Sequence, residues 1–209
     1  MEERLLRAAS ERGLDRGALD LLGRSFRCAV GVRARTLPSD HHPAFLHPAR
    51  TALILLDDVG ETRPAVLVLG VLAESRSPEL RVPAEGPAGA GTLLREAGFG
   101  AQTWWDALPQ PEWDGSAPGR DDDFADADAR LLEELVMAPE PVRRVALAEA
   151  LDHLRHAHRW EREADRIRAA RLARRVFGPL SARVHPQLER RLAWWNGRVG
   201  PTLDPDRAT

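Results

Sequence analysis

The chain has 209 residues, 43% apolar and 30% charged, which is enough to bury a core behind a polar surface and excludes a disordered or membrane-spanning composition. All 30 of its basic residues are arginine, tyrosine is absent and the formal net charge is −2, so no global positive field is available to hold a nucleic acid by its phosphates. One domain over residues 1–209 suffices for this length, and the arginine bias fits a GC-rich, bacterial coding sequence.

Helical spacing opens the chain. Leu5, Leu6 and Ala9 share a face, Gly13 separates two helices, and Ala18, Leu21, Leu22, Phe26 and Val30 continue the stripe. Cys28 lies within that pattern. As a lone cysteine it excludes an internal disulfide and reads as a buried structural thiol. The charged start Met1-Glu2-Glu3-Arg4 lacks the apolar stretch of a signal peptide, and the longest apolar run, around Ala65–Ala73, is far short of the ~20 residues a bilayer needs. A cytoplasmic protein with no membrane partner is expected.

A polar, proline-rich loop over Thr36–Leu46 precedes a helix opened by His47-Pro48, where proline's missing N–H is not needed, and Gly60 ends that helix. Pro64 opens the next one through Leu72. The β-branched run there also allows a strand, but no partner strand is evident, so helix is expected. Pro78 to Gly91 reads as a surface crossing, followed by short helices at Leu93–Ala97 and Trp104–Leu108. Residues 109–128 read as a flexible acidic loop, and helical pattern resumes at Leu131. Pro141 starts one helix, Ile167, Leu172 and Val176 mark another, Phe177-Gly178-Pro179-Leu180 makes a break, and Pro186 opens the last. The fold class expected from periodicity is all-α.

Four segments carry a resemblance. Pro43-Ala44-Phe45-Leu46-His47-Pro48-Ala49-Arg50-Thr51-Ala52, Leu94-Arg95-Glu96-Ala97-Gly98-Phe99-Gly100-Ala101-Gln102, Val145-Ala146-Leu147-Ala148-Glu149-Ala150-Leu151-Asp152-His153-Leu154-Arg155 and Phe177-Gly178-Pro179-Leu180-Ser181-Ala182-Arg183-Val184 occur in that order. Together they are similar to the HD domain of RelA/SpoT-type (p)ppGpp hydrolases. The resemblance implies an orthogonal helical bundle and a stand-alone hydrolase of the small alarmone hydrolase kind. It also implies a Mn²⁺ ion, or another divalent metal, that activates water to remove the 3′-pyrophosphate of the nucleotide. An ion with imidazole and carboxylate ligands lowers the pKa of its bound water and polarises the phosphate.

Carried onto this chain, the resemblance makes His47 the first metal ligand and brings the family's His-Asp pair onto Ala73 and Glu74. Its distant Asp becomes Glu149. Alanine cannot ligate, so one imidazole is gone, while both carboxylates persist with one more methylene. The family's acidic pair falls on Ser77-Pro78, with Glu79 adjacent as the substitute for positioning water. Arg33 and Arg35 fall near the family's nucleotide-touching basic residues, and guanidinium suits phosphate through its planar fork. His153 replaces an Asn of the family, as a second nucleotide-binding position.

Two readings stand side by side. In one, His47, Glu74 and Glu149 converge on a divalent metal in a (pyro)phosphohydrolase. In the other, the ligands have lapsed, no cofactor is bound, and the scaffold is a nucleotide-binding or protein-interaction module. Glu149 and His153 share a helix face at i, i+4, a spacing that allows two side chains to share an ion, though a plain hydrogen-bonding or surface role is also open. His41 and His42 offer a further imidazole or are simply solvated. Arg33 and Arg35 also have a solvated alternative. Asp121, Asp122, Asp123, Asp126 and Asp128 lack the spacing of a calcium loop and read as solvated acids and helix N-terminal charges. The six tryptophans read as core or interface anchors, without the basic interleaving of a nucleic-acid surface.

Overall fold

The computed structural model describes residues 1–37, 42, 44–76, 89–98, 100–115 and 121–204, with the side chains of 75, 76 and 121–123 outside that description. It is all-α, with no strand among the described residues. The chain divides into two compact units, Met1–Leu108 and Pro109–Thr209.

The first unit begins with α1 (Glu2–Glu11), a turn at Gly13, and α2 (Arg16–Thr36). Asp15 caps α2 by accepting from the Ala18 N–H at 2.8 Å. His47 and Pro48 open α3 (His47–Ile54), as proline in a first turn predicts. This helix widens into a π turn at Leu55–Val59 and stops at Gly60, whose φ of 69° is left-handed. Glu61, 3% exposed, follows it and accepts from the Arg63 N–H at 2.9 Å and the Arg63 guanidinium at 2.8 and 2.6 Å. That closed arrangement turns the chain into α4 (Pro64–Leu72).

Every residue from Val66 to Leu72 is buried. The run lacks a helical stripe because α4 is covered on several sides, by α2, by α3 and by α5 (Ala90–Ala97). This is why periodicity alone left a strand open there. The helix runs on into a tight 3₁₀ turn, Ala73–Arg76. The unit ends with α6 (Ala101–Ala107), where the Trp105 indole N–H donates to the Leu72 carbonyl at 3.2 Å.

The second unit holds α7 (Asp121–Met137), α8 (Glu140–His156) and α9 (Glu163–Leu172), then α10 (Gly178–Ser181), α11 (Pro186–Arg198) and α12 (Gly200–Leu203). Two expectations are corrected here. The loop expected through residue 128 gives way to helix at Asp121, and Asp128, read as a solvated acid, is 1% exposed. It pairs at 2.7 Å with Arg168, itself 4% exposed, and Arg175 stands 3.6 Å away. Arg168 also lies 4.6 Å over the Phe124 ring. A carboxylate on the inward face, balanced by arginines from elsewhere in the unit, breaks the apolar pattern from which a helix is read.

The break expected at Phe177–Leu180 is likewise absent. The chain passes from α9 through a π turn at Ala173–Phe177 directly into α10. Pro179 needs no donor in a first turn, and Asn196 Nδ2 donates to the Ala173 carbonyl at 3.1 Å. The unit closes on Asp204, 2% exposed, held by Arg174 at 3.2 Å and Arg171 at 3.6 Å. No helix among the described residues is long and apolar enough to cross a membrane.

Candidate functional site

In the first unit, three elements bring polar side chains together. The last turns of α2 carry Arg33, the first residue of α3 is His47, and the 3₁₀ turn after α4 carries Glu74. His47 is 2% exposed, and its Nε2 lies 3.3 Å from the hydroxyl of Thr51 one turn on. A nitrogen of His47 and an oxygen of Glu74 lie within 4.8 Å of each other. Two donors about 2.1 Å from one ion are at most about 4.2 Å apart, so the pair is near the span that a shared divalent ion requires.

Arg33 is not solvated. It is fully buried, donates through Nε to the Ala44 carbonyl at 3.1 Å and through Nη1 to the Ala29 carbonyl at 3.2 Å, and uses Nη2 to pair with Glu74. The Glu74 side chain is 14% exposed. This pairing acts in two directions. It fixes the carboxylate, as an outer partner of a metal ligand does, and it also neutralises the charge that would attract a cation. Ala73, where the resemblance places an imidazole, is wholly buried and apolar.

Arg35 is exposed on α2, on a different face from Arg33. His42 is exposed and accepts from the Ala44 N–H at 3.2 Å. His41 and Glu79 lie outside the described residues.

In the second unit, Glu149 and His153 occupy successive turns of α8. Glu149 is 8% exposed and His153 is half-buried. The His153 ring sits 4.9 Å from that of Trp113 and 6.3 Å from that of Trp160. Trp113 in turn stacks on Phe177 at 5.7 Å with an interplanar angle of 15°. His153 thus has aromatic walls, which sequence reasoning missed because Trp113 lies in a stretch read as solvated loop. The signal was Trp113 itself, a large apolar side chain among acids and prolines. His156 lies on a neighbouring face, its Nδ1 2.8 Å from the Asp152 carbonyl oxygen, and His158 is exposed.

Comparison of the chain with protein-family models, curated proteins and solved structures finds no match.

Proposed function

We propose that the chain is an HD-type phosphohydrolase-like protein of the cytoplasm, related in scheme to (p)ppGpp pyrophosphohydrolases, and that His47 and Glu74 are its metal ligands. The observation that carries this reading is the meeting of a buried imidazole and a part-buried carboxylate within 4.8 Å, the carboxylate held by Arg33. One imidazole with carboxylate oxygen suits Mn²⁺ or a similar divalent ion, which supplies Lewis acidity and an activated water toward a phosphate ester. The proposal rests on the His47–Glu74 pair.

The test measures Mn²⁺ binding to the full chain by calorimetry and pyrophosphate release from (p)ppGpp. The proposal expects His47→Ala to abolish both, and Glu74→Gln, which keeps an oxygen for Arg33, to weaken metal binding at least tenfold. Folding of each variant is checked by circular dichroism. Wild-type protein that binds no Mn²⁺, or binding unchanged in His47→Ala, ends the proposal. A second reading has its own support in the buried Ala73 and the Arg33 charge already set against Glu74: a catalytically silent module that binds a nucleotide or a protein. It expects no release of pyrophosphate under any metal.

A further inference from the structure

Arg33 ties the two candidate metal ligands together through one guanidinium. Its Nε donates to the Ala44 carbonyl at 3.1 Å, and the same carbonyl accepts the His47 backbone N–H at 3.3 Å. Its Nη1 donates to the Ala29 carbonyl at 3.2 Å, one turn back on α2, and its Nη2 donates to Glu74. The turn that presents His47 and the carboxylate of Glu74 therefore share one anchor. That anchor is wholly buried, whereas the Glu74 side chain keeps 14% of its surface in water. Bonds in three directions fix the guanidinium plane, so its charge stays where it is when a cation approaches.

The usual outer partner of a metal ligand is an acceptor. A carboxylate or carbonyl that accepts from a ligating imidazole raises its basicity and tightens the hold on the ion. A guanidinium on a ligating carboxylate does the reverse, because it draws negative charge off the oxygens and sets a positive charge close to the ion's position. Arginine keeps its proton across the working pH range, so this opposing charge is permanent. An arriving divalent ion has two routes. It shares Glu74 with Arg33 against their mutual repulsion, or it draws Glu74 away and leaves a buried guanidinium on carbonyl acceptors alone, which is costly. Both routes weaken the metal complex, and the buried, apolar Ala73 supplies no ligand to compensate.

We propose that Arg33 is a tethered competitor of the metal, an internal cation that occupies Glu74 and lowers the affinity of the site for divalent ions. This autoinhibitory contact rests on the reading of His47 and Glu74 as metal ligands. It assigns Arg33 to the control of cation binding, apart from any contact with a nucleotide.

Arg33→Met removes the charge and Arg33→Lys keeps it, while both lose the planar fork, so the difference between them isolates the charge. Calorimetric Mn²⁺ titrations of the full-length parent and both variants, each checked for folding by circular dichroism, should show binding at least roughly tenfold tighter in Arg33→Met than in Arg33→Lys. Mn²⁺ should also raise the unfolding midpoint of Arg33→Met the most. A second measurement needs no variant: when the parent is saturated with Zn²⁺, a diamagnetic probe, the Arg33 side-chain N–H signals in NMR spectra should shift together with those of the His47 ring. The proposal is overturned by Arg33→Met binding Mn²⁺ no more tightly than Arg33→Lys, or by Arg33 signals that stay in place while the His47 signals move. Metal binding by the parent with either of those results leaves the ligand reading standing and removes the competitor alone. Absence of binding in all three proteins removes both.

Discussion

Arg33 and Glu74, 41 residues apart, form an ion pair in which the guanidinium is wholly shielded from water and the carboxylate nearly so. A pair of this kind is not a large source of stability, because desolvation offsets much of the attraction, but removing one partner leaves a charge stranded. Glu74→Ala should therefore cost about 3 kcal/mol in urea denaturation, since Arg33 keeps only carbonyl acceptors. Glu96→Ala, which breaks the Arg24–Glu96 bridge at a carboxylate 42% exposed, should cost less than about 1 kcal/mol. Equal costs for the two variants would mean that Arg33 finds other counter-charges and that the pair does not fix Glu74.

Gly115 passes so close to α9 that a Cβ there would lie 2.0 Å from the Ala164 carbonyl oxygen and 2.3 Å from its carbon. Both are backbone atoms, so no rotamer change relieves the contact. The Gly115 N–H also donates to the Asp165 carboxylate at 2.9 Å, and the same segment supplies the Glu112 carbonyl to Arg168 at 3.0 Å and Trp113 to Phe177. Gly115→Ala is expected to lift this segment, at a cost of about 2–3 kcal/mol. Tryptophan emission should shift to the red as Trp113 leaves its stack. Gly197→Ala, in α11 with nothing within 4 Å of the added methyl, should instead gain about 0.5–1 kcal/mol from helix propensity. A Gly115→Ala protein as stable as the parent would refute the close approach.

What the sequence made legible depended on whether one position had one job. His47-Pro48 and Pro64 open helices through proline's fixed φ and missing donor, and Gly60 stops one through a left-handed φ, so local chemistry alone located those ends. Periodicity failed where tertiary partners rewrote the meaning of a residue. Asp128 faces inward because Arg168 comes to meet it, and the chain stays helical into Gly178-Pro179 through a π turn whose Ala173 carbonyl accepts from both the Gly178 N–H and Asn196 Nδ2. Neither partner is visible at the site of the failure. At the candidate site, His47 stood out by its proline, whereas Arg33 looked like one more surface arginine in a chain with 30 basic residues. Only the fold reveals that its three donor nitrogens are spent on two carbonyls and Glu74.

Cys28 sits half-buried on α2, and burial pushes its thiol above the ordinary range, a shift that Arg35 opposes without cancelling. Thiolate is the reactive form, so at pH 7–8 the folded chain should alkylate with iodoacetamide several-fold more slowly than the urea-unfolded chain. The sign of the linkage follows from the same shift. As pH rises past the ordinary thiol range, the unfolded chain loses its proton first, so the contribution of the neutral buried thiol is complete below that range and falls away in alkali. Cys28→Ala should flatten the decline in stability measured by denaturation between neutral and alkaline pH. Equal alkylation rates in folded and unfolded protein, or an unchanged alkaline slope in Cys28→Ala, would show that Arg35 outweighs burial at this thiol.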